Sequence, residues 1–141
     1  MNTKDIGLLA EQIVVVDCLK RGYTVAQVYG DNAPYDLLVD RGKGKIVRVQ
    51  VKSRSPRNLK LTIEGYTMSY DPEKGSNNRV RRTFYNNDIV DYFAIVDNTT
   101  YNIYYVPVSI FSDIDVVNLR LSPTKNNQNK GVKMASDFVN F

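Results

Sequence analysis

The stretch APYDLLVDRGKGKIVRVQVKS, Ala33 to Ser53, decides the reading of this chain. Two apolar runs, Tyr35 to Val39 and Ile46 to Val51, flank Arg41-Gly42-Lys43-Gly44-Lys45, whose glycines permit tight-turn dihedrals. This is the pattern of a β-hairpin. A turn centred near Lys43 pairs Leu37 with Val49, Leu38 with Arg48 and Asp36 with Gln50. Because side chains alternate across a sheet, one face collects Tyr35, Leu37, Val39, Val47, Val49 and Val51 and belongs in a core. The opposite face collects Asp36, Leu38, Arg48, Gln50 and Lys52, so a carboxylate, a carboxamide and an amine converge at one end of the hairpin.

That grouping suits metal-assisted phosphodiester hydrolysis. A hard divalent cation prefers oxygen ligands and needs only one or two from the protein. Asp36 offers an anionic oxygen, Gln50 an amide oxygen, and the Val51 carbonyl a third if it points away from its strand neighbour. Lys52 projects on the same side as Gln50, roughly 7 Å further along the strand. There it can orient the attacking water or steady charge on the phosphate.

Asp36 followed by Gln50-Val51-Lys52 on the second strand of a hairpin resembles the PD-(D/E)XK nuclease signature. Within that superfamily the chain is most similar to the small endonucleases encoded in group I introns, with their GLLAEQ-like opening helix and QxK ending. The likeness extends from Gly7 to about Pro107. Two departures stand out: Pro34 lies one residue earlier than the usual proline, and Gln50 replaces the usual Asp or Glu. The resemblance implies an α/β fold with a restriction-endonuclease-like core, a mixed central β-sheet flanked by helices. It also implies a Mg²⁺-dependent, site-specific endonuclease acting on double-stranded DNA, with Mn²⁺ as a possible substitute. Asp36, Gln50 and Val51 would hold the metal, with Lys52 as the catalytic amine. Read alone, Glu11 is an exposed helix carboxylate; the resemblance places it near the metal, completing the site through water.

The whole chain bounds these expectations. Its 141 residues make one domain, large enough for a conventional core. Hydrophobic residues at 43% and charged residues at 24% are ordinary for a globular protein. The sequence has no histidine and one cysteine, Cys18. This removes Ser-His-Asp and Cys-His chemistry and thiolate or imidazole zinc sites, and leaves carboxylates, amides, lysines and tyrosines. A single cysteine also fits a reducing compartment, and no apolar run spans a bilayer or follows a basic start, so a cytoplasmic protein is expected.

The net charge is +4 with a pI near 9.1, and its distribution says more than its size. Arg41 to Lys60 carries eight Lys or Arg and no Asp or Glu. Ser53, Arg54, Arg57 and Lys60, leaving the hairpin, are natural phosphate ligands. Arg79, Arg81 and Arg82 form a second cluster, in a stretch from Gly65 to Thr83 that mixes aromatic and basic groups around the turn residues DPEKGSNN. That stretch reads as a DNA-contacting insertion at about 65–83, either a projecting hairpin or a mobile loop.

Elsewhere the patterning predicts a helix from a cap at Asn2 or Thr3 to about Arg21, stopped by Gly22. Leu8, Leu9, Ile13, Val16 and Leu19 form its apolar stripe, and Ile13 to Val16 is apolar all round. Strands are predicted at Val25–Tyr29, Leu61–Ile63, Tyr92–Val96, Ile103–Val108 and Val116–Leu121, with a short helix at Phe84–Asp91 covering a face. Ser122 to Gly131 reads as loop, and Phe138 and Phe141 dock on the body or on a partner subunit. One site cuts one strand, so a homodimer or homotetramer is expected. The rivals are a Holliday junction resolvase-like nuclease and, given neutral Gln50, a DNA-binding module without catalysis.

Overall fold

The computed structural model describes residues 1–70, 73, 80–126 and 131–141. Helix α1 (Thr3–Lys20) starts where the Asn2 side chain accepts the Asp5 N–H at 3.0 Å, and Asp5 in the first turn complements the helix dipole. It ends at Gly22, whose φ of 81° reverses the chain into β1 (Thr24–Gln27). The strand predicted to reach Tyr29 stops at Gln27, and Tyr29 is fully exposed.

The hairpin forms as its sequence dictates. Strand β2 (Leu37–Asp40) pairs antiparallel with β3 (Ile46–Arg54), with Leu37 opposite Val49 and Leu38 opposite Arg48. Gly42, Lys43 and Gly44 all take positive φ in the connection. The expected Asp36–Gln50 pair does not form. The ladder stops at Leu37, and the Asp36 N–H bonds the Val49 carbonyl while its own carbonyl accepts the Val28 N–H. Alternation therefore breaks at Asp36, and Tyr35 packs on the opposite core from Leu37 and Val39.

A five-stranded sheet in the order β1-β2-β3-β7-β8 organises the chain, with β7 spanning Tyr92–Asp97 and β8 spanning Ile103–Pro107. Only β3 and β7 run parallel in it, and the long crossover between them carries the rest of the architecture. On one face α1 covers Leu37, Val39, Val49, Ala94, Val96 and Tyr105. The helix presents Ala10, Val14 and Cys18 at four-residue spacing, small side chains that let it lie close to the sheet. The expected stripe holds in part: Ile13 packs on this core and Leu9 is half-buried, whereas Leu8, Val16 and Leu19 are 57%, 50% and 58% exposed.

The other face packs on a second sheet, β10-β9-β4, formed by β4 (Lys60–Glu64), β9 (Val116–Arg120) and β10 (Lys133–Met134). Leu61, Ile63, Val117 and Leu119 from this sheet meet Phe93, Ile95, Tyr104 and Val106. The α/β class holds, with α1 on one face and this small sheet on the other. The helix predicted at Phe84–Asp91 is instead one turn, in which Asn86 takes the Asp88 N–H on its side chain and the Val90 N–H on its carbonyl. Arg48 pins that turn through both Asp91 oxygens and the carbonyls of Asn87 and Asp88. The insertion pairs as a hairpin: β5 (Tyr66–Tyr70) runs antiparallel to β6 (Val80–Phe84) as a separate two-stranded ribbon. Phe141 docks on the body, stacked on Tyr105 at 4.1 Å and edge-on to Tyr23 and Tyr92. Phe138 packs on the core between the two sheets.

Candidate active site

The site begins where β2 runs out beside β3. Val51 lies beyond the last paired residue, Val49, so nothing in β2 meets its backbone. Its N–H is taken by Asp36 Oδ2 at 2.7 Å. Within a strand the N–H and C=O of one residue point the same way, so the Val51 carbonyl also faces this gap. There it accepts a long 3.4 Å contact from Gln50 Nε2. By stepping off the ladder, Asp36 thus becomes a side-chain cap on the strand end, with its second oxygen left over.

Glu11 from α1, Asp36 and Gln50 line one cleft of about 750 Å³. Its remaining wall comes from the loop after β1, from Thr67 and Thr83 of the ribbon, and from Tyr85 and Ile89. Burial pushes the Asp36 carboxyl above the usual carboxylate range, opposed by the Val51 N–H and the Lys52 charge. Burial also raises Glu11, and the neighbouring Asp36 charge adds to it. Two carboxyls raised together face one cleft, so a cation bound there would relieve both.

Lys52 stands behind this wall. Its ammonium lies 5.1 Å from the Tyr85 ring centre and 5.0 Å from that of Phe93, and the two rings meet edge to face. Its pKa is lowered to about 8, by burial first and by the Arg54 charge, with Glu64 and Asp36 opposing. At neutral pH it is mostly charged, yet close enough to titration to give or take a proton. Tyr85 also hydrogen-bonds Thr67 at the root of the ribbon. Sequence reasoning missed Tyr85, having placed it in a helix. A lone tyrosine between a strand and an Asn-Asn turn carries no local signal for a site assembled from residues more than thirty positions away.

The basic residues do not gather at the cleft. Arg54 is engaged internally, with Glu64 at 2.7 Å, Ser53 O at 2.8 Å and Thr62 O at 3.1 Å. Burial acts to raise Glu64, but the Arg54 bond, a backbone hydrogen bond and the Arg54 and Lys52 charges together outweigh it and hold the carboxyl below its usual range. Ser53 is half-buried at the end of β3. Arg57 and Lys60 close a tight two-residue turn through Asn58 and Leu59, both at positive φ, and Arg57 is exposed. Arg81 and Arg82 are exposed on β6, and Arg82 lies 4.7 Å over the Tyr66 ring. Arg79 falls outside the described residues.

The donor set for a metal is oxygen alone: the Asp36 carboxylate, the Val51 carbonyl, the Gln50 amide and, from the helix, Glu11. Among the described residues no cluster of three or more His, Cys, Asp or Glu forms. Such a set fits a hard, partly hydrated cation of the Mg²⁺ type and no softer metal.

Among solved structures the chain is similar to a bacterial homing endonuclease, I-Ssp6803I, at 24% identity and TM-score 0.76, covering 98% of this chain and 88% of that one. It also matches Archaeoglobus fulgidus Hjc, a Holliday junction resolvase from an archaeal hyperthermophile, at 13% identity and TM-score 0.44, covering 96% and 97%. No curated protein matches. The PD-(D/E)XK endonuclease family matches residues 1–141, and the chain belongs to that family.

Proposed function

We propose that this protein is a Mg²⁺-dependent, site-specific endonuclease for double-stranded DNA, of the kind encoded in group I introns. The observation that carries the reading is the capped strand end, where Asp36 and Gln50 share one cleft with Glu11, bond the Val51 N–H and carbonyl respectively, and have Lys52 behind them. Asp36, Gln50 and Val51 would hold the cation, Mn²⁺ serving in place of Mg²⁺. When bound, that ion supplies charge stabilisation at the phosphate and lowers the pKa of water.

The chain's own groups do the rest. Asp36 is held in place by the Val51 N–H, so its free oxygen is pre-aimed. In the structure the Gln50 amide turns its nitrogen to the Val51 carbonyl. A half-turn of that amide puts two oxygens side by side, an arrangement a cation favours. Lys52, fixed by two rings, presents a proton and a positive charge towards the scissile phosphate. Glu11 accepts a hydrogen bond from water at the edge of the cleft. Away from it, Arg57, Lys60, Arg81 and Arg82 are assigned to DNA; Ser53 and Arg54 support the end of β3, and Arg54 reaches phosphate only by leaving Glu64. Cutting both strands takes two such sites, hence a homodimer or homotetramer. One buried cysteine suits a reducing cytoplasm.

The test uses supercoiled plasmid carrying random genomic inserts and a synthetic four-way junction, each with Mg²⁺. Linear plasmid cut at discrete positions supports the reading. Cleavage of the junction alone favours junction resolution, and cleavage of neither leaves a DNA-binding module.

A further inference from the structure

The ribbon β5–β6 has two unlike faces, and its register separates them. Thr67 pairs with Thr83, and Ser69 with Arg81, on one face; Tyr66 pairs with Phe84, Met68 with Arg82, and Tyr70 with Val80 on the other. The first face is continuous with the cleft, because Thr67 and Thr83 line it together with Asp36 and Gln50. Ser69 and Arg81 lie one side-chain repeat further out, roughly 7 Å along the strands. All four residues are exposed. Among the described residues the second face is largely apolar, with Met68, Tyr70, Val80 and Phe84 all exposed and Arg82 lying over the Tyr66 ring. Among the described residues no ion pair holds Arg81.

We infer that the cleft-side face of this ribbon enters the major groove of the DNA being cut and reads base edges there, Arg81 taking a guanine and Ser69 and Thr83 its neighbours. This rests on the nuclease reading above and names residues that determine its specificity. A two-stranded ribbon fits the major groove, whose base edges carry an unambiguous donor and acceptor code. Hydroxyls and a guanidinium can read its donors and acceptors, whereas an apolar face can meet only the thymine methyl. Continuity with the cleft fixes the distance: steps along DNA are about 3.4 Å, so the bases read lie within about four base pairs of the cut. Thr67 is tied to Tyr85 and anchors the root of the ribbon. Arg81 and Arg82, adjacent in sequence, thereby have different tasks.

The experiment is selection of bound duplexes from a randomised DNA library in Ca²⁺, read by sequencing, with Mg²⁺ cleavage of plasmid measured in parallel. Wild type is expected to recover a motif containing guanine. Arg81→Ala should lose roughly 5- to 150-fold discrimination at that base pair. Arg81→Gln should lose the guanine or exchange it for adenine, which a glutamine amide matches. Ser69→Ala and Thr83→Val should relax adjacent positions, and Met68→Thr, on the opposite face, should leave the motif intact. Circular dichroism confirms that each variant is folded. An unchanged motif in Arg81→Gln, or an equal change in Met68→Thr, overturns the inference. Plasmid cleavage by wild type with no selected motif also overturns it while sparing the nuclease reading. A ribbon-dependent motif without cleavage supports the inference and sinks the nuclease reading.

Discussion

Gly65 joins β4 to β5, and an alanine there tests how the ribbon is fixed to the body. The residue is buried, its N–H bonds Asp115 O at 2.8 Å, and its carbonyl takes the Tyr85 N–H at 2.9 Å. A Cβ at this position would stand 2.5 Å from Phe111 Cδ1, 2.7 Å from Cγ and 3.1 Å from Cβ. The clash reaches the root of the side chain, so rotating the ring cannot relieve it. Phe111 must move, and it packs edge-on to Phe93 at 5.5 Å, the ring that supports Lys52. Overpacking of this kind costs about 1–3 kcal/mol. The lower unfolded-state entropy of alanine returns about 0.4–1 kcal/mol, leaving a net loss centred on about 1.3 kcal/mol. For a chain of this size that lowers Tm by about 3–6 °C. Urea and thermal unfolding of Gly65→Ala, Phe111→Leu and the double variant measure it. With the smaller Phe111→Leu side chain, adding Gly65→Ala should cost less than half as much. A Gly65→Ala protein within about 0.3 kcal/mol of wild type, or equal costs in both backgrounds, would refute this packing account.

Three further outcomes concern the cleft and the basic surface. Glu11 has its carboxyl raised in the fold by burial and by Asp36, so its favourable contribution is complete below the unfolded pKa and is lost as pH rises through the folded one. In EDTA, Glu11→Gln should therefore melt above wild type at pH 7, with the gap closing towards pH 3; a gap that widens on acidification refutes the sign. Arg57→Ala should flatten the slope of log DNA affinity against log salt by about 0.9, whereas an unchanged slope makes Arg57 merely solvated. Gln50→Glu should tighten Mg²⁺ binding to the free protein by calorimetry and weaken DNA binding in EDTA. If neither quantity moves, Gln50 does not face the metal.

The hairpin was legible because two strong signals coincide in it: a period of two in the valines and a pair of glycines that both adopt positive φ. Its last step was not. Alternation extrapolated to Tyr35 fails because Asp36 leaves the ladder to bond the Val51 N–H, a tertiary event that no local pattern encodes. The helix was legible in extent and only in part in face: Ile13 packs on the core and Leu9 is half-buried, but Leu8, Val16 and Leu19 are exposed, because close approach to the sheet selected Ala10, Val14 and Cys18. The short helix failed at Asn86, whose side chain competes for backbone bonds and ends the element after one turn. The cleft itself was legible through Asp36, Gln50 and, by resemblance, Glu11, all of which line it. Tyr85 and the two-faced ribbon needed the long crossover from β3 to β7 to bring them alongside.

Single-turnover cleavage of plasmid DNA by Lys52→Ala, beside wild type and with DNA affinity matched in Ca²⁺, tests the central claim most directly. Lys52 is half-buried, its ammonium lies over two rings, and among the described residues no side-chain hydrogen bond or ion pair depends on it, so its loss leaves the cleft residues and the DNA surface in place. A fall in the Mg²⁺-dependent rate of at least about 100-fold, with DNA affinity within a few-fold and an intact fold, is the predicted result. Wild-type cleavage rates from Lys52→Ala would contradict the assignment of this cleft as the active site.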